Sequence, residues 1–138
     1  MKFIGFNFKK MKIERTSDFF QNLKISTNIN ISKITKPKIN PLKEREELIT
    51  VEFNYFIDYS PNVARIEFVG EVLFTTDLKQ SKEILKDWKS KKISNDFKIM
   101  LFNIILRKSN IKALQLEDEM NLPPHISLPS LKREETKN

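Results

Sequence analysis

The chain has no cysteine, two glycines and one histidine among its 138 residues. The absence of cysteine excludes disulfides, thiolate metal ligands and cysteine nucleophiles. The two glycines, Gly5 and Gly70, are isolated, which excludes the glycine-rich loops that bind phosphates. One histidine excludes HExxH sites and metal sites with several histidine ligands. We therefore expect a protein that is not an enzyme and has neither a cofactor nor a small-molecule substrate.

Long hydrophobic runs are also missing. The longest apolar stretch, Ile99–Leu106, is interrupted by Asn103 and is much shorter than the roughly 20 residues that span a membrane. Near the N-terminus, Lys9 and Lys10 end the apolar stretch before it is long enough to be the apolar region of a secretory signal. We therefore expect no transmembrane segment and a cytoplasmic location.

Positive charge, in contrast, is in excess. Lys and Arg number 25 against 18 Asp and Glu, for a net charge of +7, and such a balance favours acidic partners, including nucleic acid. Most of these cations are lysine, whereas nucleic-acid grooves usually recruit arginine. The excess lies in two separate stretches, 1–48 and 77–113, rather than in one basic tail. We expect it mainly to favour solubility, and we keep nucleic-acid binding as the alternative function.

The start of the chain has the alternation of a β-strand with one irregularity. Apolar side chains occupy the even positions at Phe6 and Phe8 and the odd positions at Met11 and Ile13. A change of phase within a strand is what a β-bulge produces. The pattern therefore predicts a first strand with a bulge near Lys9 and Lys10.

Three further stretches alternate between apolar and polar residues, as half-buried strands do. They are Leu23–Ile31, Ile49–Ile57 and Val63–Thr75. A turn at Tyr59–Asn62, with its proline, separates the last two. Gly70 lies inside the last stretch, where a glycine indicates a bulge or a close backbone approach.

The second half of the chain has helical spacing. Thr76 or Asp77 can cap a first helix, and one of the residues 94–96 can cap a second. The stretch Ile99–Leu106 of the second helix is apolar nearly all round, so it must be covered on more than one side. Because a single four-stranded sheet covers only one side, this helix is the first indication of a partner subunit.

A proline-rich segment, Leu122–Pro129, follows the long helix. Its three prolines exclude a regular helix and favour an extended course. Residues 132–138 are highly charged, and we expect them to be disordered. The predicted fold is a single α+β domain over residues 1–131, in which a four-stranded antiparallel sheet is followed by a long helix.

Three polar features near the helices are candidates for chemistry. His125 is the only imidazole, but its segment has no strained nucleophile turn, so we interpret it as an ordinary loop histidine. The acidic run Glu117–Glu119 could hold a cation or act as an acid–base pair, but adjacent helical side chains diverge, which favours a solvated helix end. The lysines around Trp88 could contact nucleic acid, but single-strand binders use several exposed rings.

The apolar surface exceeds what a minimal core needs, and such an excess marks a protein–protein site. An oligomer interface is the favoured use, and a groove for client polypeptides is the next. We place the interface on the apolar middle of the long helix, at Met100, Leu101, Ile104 and Ile105.

Three stretches, in their order along the chain, resemble one known family. Phe6–Ile13 looks like its first strand, Val63–Phe74 like its fourth, and Leu122–Leu128 like the loop after its long helix. The chain thus resembles the SecB-type chaperones, including their archaeal and toxin–antitoxin-associated relatives. The order of elements over most of residues 1–131 carries the resemblance, rather than one diagnostic motif.

The resemblance implies an ATP-independent holdase that binds unfolded or export-bound polypeptides. It also implies a homotetramer, a dimer of dimers, with the long helices between two eight-stranded sheets. In this family, clients lie in grooves walled by the second strand, the crossover before it and the loop after the long helix. The corresponding residues here are Ile25, Ile29, Ile31, Phe19, Phe20, Leu122, Ile126 and Leu128.

The chain departs from the family in its crossover, which is shorter, and in the final helix, which is missing or reduced. Bacterial SecB is acidic and docks its motor ATPase on an acidic sheet face. The net charge of +7 argues against such docking here. A chaperone dedicated to a single toxin-like client is a third possibility that the sequence leaves open.

Overall fold

The computed structural model describes residues 1–18, 21–38, 42 and 45–131. It confirms the predicted α+β class, with a four-stranded antiparallel sheet followed by a long helix. Neither helix has the combination of length and apolar character needed to cross a membrane in this part of the chain. The tail 132–138, which was expected to be disordered, lies outside the described residues. The elements are β1 (Lys2–Arg15), β2 (Lys24–Thr35), β3 (Glu46–Ser60), β4 (Ala64–Asp77), α1 (Leu78–Lys89) and α2 (Asn95–Glu119).

The strands lie side by side in the order β1-β4-β3-β2, and each neighbouring pair is antiparallel. A tight turn at Pro61 joins the two central strands, whereas β1 and β2 form the two edges. In β3 and β4, every second side chain is buried. These buried positions face the helices and form the inner face, and the alternate positions form an outer face that the helices leave uncovered.

The predicted bulge in β1 is confirmed. The pairing of β1 with β4 shifts register between Phe8 and Lys10, so one extra residue returns the apolar side chains to the inner face. Phe8 and Met11 therefore both pair with inner-face positions of β4. A second shift lies between Phe3 and Gly5; it leaves Ile4 48% exposed, which the simple even–odd pattern does not predict.

At Gly70 the backbone of β4 lies close to neighbouring atoms, which is one of the two possibilities that a glycine inside a strand indicates. A Cβ atom there would lie 2.7 Å from the carbonyl oxygen of Asn7 and 2.7 Å from Cζ of Phe53. The other possibility, a bulge, applies to the partner strand β1, which is where the register shifts lie. Only a residue without a side chain leaves room at this position for the backbone of β1 and the aromatic ring.

Replacing Gly70 by alanine is expected to lower the free energy of unfolding by about 1–3 kcal/mol, because the added methyl group overpacks a filled site. Urea unfolding of the purified variant measures this change. The matched control is Gly5→Ala, whose Cβ would lie 3.6 Å from Leu73 Cδ1, an ordinary contact. We expect that control to stay within about 0.5 kcal/mol of the parent. Equal stability of the two variants would contradict the close approach.

Both helices begin at side chains that the sequence identifies as possible caps. The Asp77 carboxylate accepts a hydrogen bond from the backbone N–H of Gln80 at 2.7 Å. The Ser94 hydroxyl accepts one from the N–H of Phe97 at 3.3 Å. Each cap satisfies a backbone donor that the first turn of a helix leaves unpaired.

Helix α2 runs along the inner face from one end of the sheet to the other. Near its start, the Phe97 ring lies 5.8 Å from that of Phe74, and near its end Glu117 contacts Tyr59. The buried stripe of α2 repeats every fourth residue, at Phe97, Leu101, Ile105, Ser109, Ala113 and Glu117. This course covers the centre of the sheet and leaves the edge strands less protected.

Candidate functional site

The inner face of edge strand β2 is only partly covered. Ile25, Ile29 and Ile31 are half-buried, whereas Tyr55 and Phe53, which pair with Ile29 and Ile31 across the ladder, are completely buried. Among the described residues, β2 pairs with β3 and with no strand on its other side. The sheet therefore ends in an apolar strand that the helices do not fully cover.

An open groove of about 700 Å³ lies between this strand and the junction of the two helices. Its β2 wall is the stretch Ile29–Ser32. Trp88 comes from α1, Ile93 from the connection between the helices, and Phe102 from α2. We call this site the β2 groove, and its lining residues are Ile29, Asn30, Ile31, Ser32, Trp88, Lys91, Ile93, Lys98 and Phe102.

The connection between α1 and α2 shapes one end of the groove. Lys91 has a φ of 56°, in the left-handed region that residues following a helix C-terminus often adopt. Its N–H donates to the carbonyl of Trp88 at 2.9 Å, and the N–H of Lys92 donates to that of Asp87 at 2.9 Å. These bonds end α1 and turn the chain, which brings Ile93 beside Trp88.

Two lysines place positive charge beside the aromatic rings of the groove. The Lys91 Nζ lies 4.6 Å from the centroid of the Trp88 ring, and the Lys98 Nζ lies 5.5 Å from that of Phe102. An ammonium group over an aromatic face is attracted by the negative charge of that face. No carboxylate is among the lining residues in the described part of the chain, so the groove combines aromatic and aliphatic side chains with positive charge.

A buried polar network holds the proline-rich segment against α2 and the sheet. The Tyr59 hydroxyl oxygen lies 2.6 Å from Oε2 of Glu117 and 2.7 Å from the carbonyl oxygen of Pro123. Nδ1 of His125 lies 2.9 Å from both carboxylate oxygens of Glu117, and the backbone N–H of His125 donates to Oε1 at 3.1 Å. The side chains of Glu117 and His125 are each 1% exposed.

The network continues from His125 towards the centre of the sheet. The Tyr55 hydroxyl donates to Oδ1 of Asn110 at 2.6 Å. Nε2 of His125 lies 3.0 Å from that oxygen and 3.2 Å from the Tyr55 hydroxyl oxygen. We call these five residues, Tyr55, Tyr59, Asn110, Glu117 and His125, the Glu117–His125 network.

The tyrosines of this network are held in their neutral form. Burial, and then the negative charge of Glu117, raise the pKa of Tyr55. Burial, followed by the hydrogen bond to Glu117, raises the pKa of Tyr59. Both effects penalise a second negative charge in a space that already holds a carboxylate.

Two predictions from the sequence are wrong at this point. His125 is not an ordinary loop histidine, and Glu117 does not belong to a solvated helix end, because both side chains are buried against each other. Two sequence signals point to such a network. Tyr55 and Tyr59 lie on the apolar face of a strand, where buried hydroxyls need partners. Asn110 and Glu117, seven positions apart, share one face of α2.

Alkaline pH is expected to unfold the protein together with the ionisation of its tyrosines. The chain has two tyrosines, and both belong to the network. In the unfolded chain tyrosine ionises near pH 10, whereas burial raises both pKa values in the folded protein. The stability that the neutral tyrosines contribute is therefore fully present below about pH 10. Above that pH, the free energy of unfolding falls by about 1.4 kcal/mol per pH unit for each tyrosine.

The measurement is tyrosinate absorbance followed alongside circular dichroism as the pH rises. We expect the two signals to change together, because the tyrosines ionise only when the chain unfolds. Tyrosinate that forms near pH 10 with the secondary structure retained would contradict the buried network.

The predicted client-binding residues fall into three groups. Ile29 and Ile31 line the β2 groove, and Ile25 lies further along the same face of β2. In the segment after α2, Leu122 is 6% exposed, whereas Ile126 and Leu128 are 40% and 53% exposed. The remaining two residues, Phe19 and Phe20 of the crossover, lie outside the described residues.

The sequence pattern does not reveal the helical wall of the β2 groove. The sequence associates Trp88 only with the lysines around it, and Phe102 only with the apolar stretch Ile99–Leu106. Trp88, Ile93 and Phe102 line the groove because the packing of α1 and α2 brings the α1–α2 junction beside β2. Periodicity along one element carries no information about which neighbouring strand that element meets.

The predicted interface residues on α2 differ in their exposure. Leu101 and Ile105 are completely buried within the chain and contribute to its own core. Met100 and Ile104 are half-buried. Elsewhere on α2, Ile99 and Ile111 are 60% and 54% exposed, so two apolar side chains of this helix are in contact with solvent.

On the outer face of the sheet, acidic side chains are matched by cations. The Lys9 Nζ lies 3.2 Å from a carboxylate oxygen of Glu71 and 3.5 Å from one of Glu52. The hydrogen bond to Glu71, with the nearby carboxylate charges, raises the pKa of Lys9. Further pairs join Lys10 to Glu67 and Arg65 to Asp58. Each of these four carboxylates therefore lies within 3.7 Å of a cation.

The order β1-β4-β3-β2, the antiparallel pairing and the long helix across the inner face define a SecB-like fold, which the order of elements in the sequence predicts. No protein-family model matches the chain, and no curated protein matches it. Among solved structures, the chain is similar to the Mycobacterium tuberculosis Rv1957 SecB-like chaperone in complex with a ChAD peptide from the Rv1956 HigA1 antitoxin. The TM-score is 0.56 at 14% sequence identity, over 97% of this chain and 92% of that chain.

Proposed function

We propose that the protein is an ATP-independent holdase chaperone of the cytoplasm that binds unfolded or export-bound polypeptides and prevents their aggregation. The observation that carries this proposal is the apolar face of edge strand β2, which opens into a groove lined by Trp88, Ile93 and Phe102. Unfolded chains expose apolar side chains, and burying these in such a groove contributes about 25 cal/mol per Å². The outer edge of β2, which pairs with no strand among the described residues, can add backbone hydrogen bonds that do not depend on the client's sequence.

The similar Rv1957 structure supports a polypeptide as the ligand class, since that SecB-like chaperone is in complex with a peptide from an antitoxin. A general holdase and a chaperone dedicated to one client use the same kind of groove. They differ in the range of polypeptides that they hold. The number of different polypeptides that the protein holds is therefore part of the test.

The test is suppression of aggregation of an unrelated protein that is diluted from denaturant, at ordinary salt and without nucleotide. We expect suppression at ratios near one assembly per client. No suppression of any unrelated client would contradict a general holdase. Protection of one toxin-like protein alone would instead support a dedicated chaperone.

We also propose that the chain assembles as a homotetramer, a dimer of dimers. Exposed apolar side chains on two elements support self-association: Ile99 and Ile111 on α2, and Phe3 and Met11 on β1, are 40–60% exposed. Apolar surface on two sides of a small chain is typical of protein–protein contacts. Light scattering measures the mass, and a mass of 16.4 kDa, that of one chain, would contradict assembly.

Nucleic-acid binding is a second candidate, because one observation favours it. The pairing of Lys91 with the Trp88 ring offers a base both a stacking surface and a cation for its phosphate. Binding of single-stranded oligonucleotides across a salt series tests this reading. Tight binding that weakens steeply with salt would favour it over the chaperone.

A further inference from the structure

We propose that the β2 groove selects extended client segments in which carboxylates flank the apolar side chains, and that these segments add as a new strand to the free edge of β2. The inference rests on the proposed chaperone function and deepens it, because it states which segments of a client are held.

The preference for carboxylates follows from the charges around the groove. Lys91 and Lys98 line it, and no carboxylate does so in the described part of the chain. The net charge of +7 adds a field of the same sign. A bound segment with Asp or Glu beside its apolar residues therefore gains attraction, whereas one with Lys or Arg meets repulsion.

Addition as a strand follows from the position of β2 in the sheet. On the side away from β3, its backbone N–H and C=O groups have no partner strand among the described residues. The groove touches consecutive residues Ile29–Ser32 of that strand, so it lies along the backbone and not only above the side chains. An extended peptide that pairs there satisfies both backbones at once.

The apolar wall sets the spacing of the segment. In an added strand, alternate side chains continue the inner face of the sheet. Those side chains would lie between Ile29 and Ile31 on one side and Trp88 and Phe102 on the other. The residues between them would point to the outer face, so a carboxylate that reaches Lys91 or Lys98 must share the face of the apolar residues. The groove thus fits a segment with large apolar residues at alternate positions and an acidic residue two positions before or after them, on the same face.

Trp88 supplies the measurement, since it is the single tryptophan of the chain and lines the groove. The probes are two synthetic peptides with the same pair of apolar residues at alternate positions and serine at the positions that face away from the groove. One has glutamate and the other lysine at the same-face positions that flank the apolar pair. We expect the acidic peptide to change Trp88 fluorescence with a dissociation constant about tenfold or more below that of the basic peptide at low salt. The difference should shrink as salt is added.

A pair of charge reversals tests the placement. Lys91→Glu combined with Lys98→Glu is expected to reverse the preference between the two peptides. The matched control is Lys79→Glu combined with Lys82→Glu, which makes the same change of net charge on exposed residues of α1 that do not line the groove. We expect the control to keep the preference for the acidic peptide.

A third peptide tests the backbone pairing. Methylation of alternate backbone nitrogens of the acidic peptide, on the edge that would face β2, removes its donors without changing its charge. We expect its affinity to fall at least about tenfold, because strand addition depends on these bonds.

Several outcomes would overturn the inference. Equal affinity of acidic and basic peptides would do so, and so would the same loss of preference in the control variant as in the groove variant. Peptide binding seen by anisotropy of a labelled peptide, with no change in Trp88, would place the site elsewhere. A Trp88 fluorescence that changes with protein concentration but not with peptide would assign the groove to a second copy of the chain. A fluorescence that changes only when an oligonucleotide is added would assign it to nucleic acid.

Failure of this inference is distinguishable from failure of the chaperone proposal. Suppression of aggregation is measured on a client without acidic segments as well as on one that has them. Equal protection of both would remove the acidic preference and leave the holdase in place. Loss of protection for both clients would contradict the holdase itself.

Discussion

Replacing Glu117 by alanine is expected to lower the free energy of unfolding by about 3–5 kcal/mol, because each of several buried donors left without its acceptor costs about 1–3 kcal/mol. The carboxylate accepts from the Tyr59 hydroxyl, from Nδ1 of His125 and from the backbone N–H of His125. Alanine leaves these groups buried without an acceptor, and each unpaired buried group carries a desolvation cost.

The same variant is expected to release the proline-rich segment. Within the described residues, hydrogen bonds from Tyr59 to Pro123 and from His125 to Glu117 hold this segment to the rest of the chain. Hydrogen exchange at the His125 amide should therefore become faster in Glu117→Ala, even under conditions in which the sheet remains folded.

The matched control is Glu119→Ala, which removes an exposed carboxylate from the same turn of α2. We expect a change within about 0.5 kcal/mol. Glu117→Gln should fall between the two, because the amide keeps the size of the side chain and one acceptor but loses the charge. Urea unfolding gives all three values, and a Glu117→Ala variant as stable as the control would show that the network does not stabilise the fold.

Replacing Ile29 and Ile31 together by aspartate is expected to abolish client holding while leaving the mass of the assembly unchanged. Both side chains line the β2 groove, and two carboxylates there would remove its apolar floor. Their half-buried position on an edge strand lets the charged side chains turn towards solvent, so we expect the fold to survive. Aggregation suppression and light scattering measure the two properties on the same preparation.

Two further variants test whether the loss of client holding is specific to the β2 groove. Ile29→Thr with Ile31→Thr keeps β-branched side chains and should weaken holding without stopping it. Ile126→Asp with Leu128→Asp changes the exposed apolar residues after α2 and tests whether that segment is a wall of the site. If holding survives Ile29→Asp with Ile31→Asp in a folded protein, the β2 groove is not the client site.

Local patterns in the sequence predicted much of the fold. Alternation predicted all four strands, and the change of phase between Phe8 and Met11 predicted the bulge that the β1–β4 register shows. Asp77 and Ser94 were identifiable as helix caps because they precede helical spacing with a side chain that accepts hydrogen bonds. Each of these features depends on residues a few positions apart.

The candidate site was only partly predictable. The apolar face of β2, with Ile29 and Ile31, is visible in the alternation. The opposite wall is not, because Trp88 and Phe102 lie on helices whose periodicity does not reveal which strand they meet. Nor does the sequence show that Leu122 is buried while Ile126 is exposed, although both lie in one proline-rich segment.

By itself, the sequence determined the α+β class, the strand periodicity, the helix starts and the excess of apolar and basic side chains. The tertiary structure alone decided that Glu117 and His125 pair in the core, and that the α1–α2 junction lies beside edge strand β2 and forms the β2 groove with it. The physical reason is the distance along the chain over which each interaction acts. Backbone periodicity and capping act within a few residues, whereas a groove and a buried hydrogen-bond network depend on how distant elements pack.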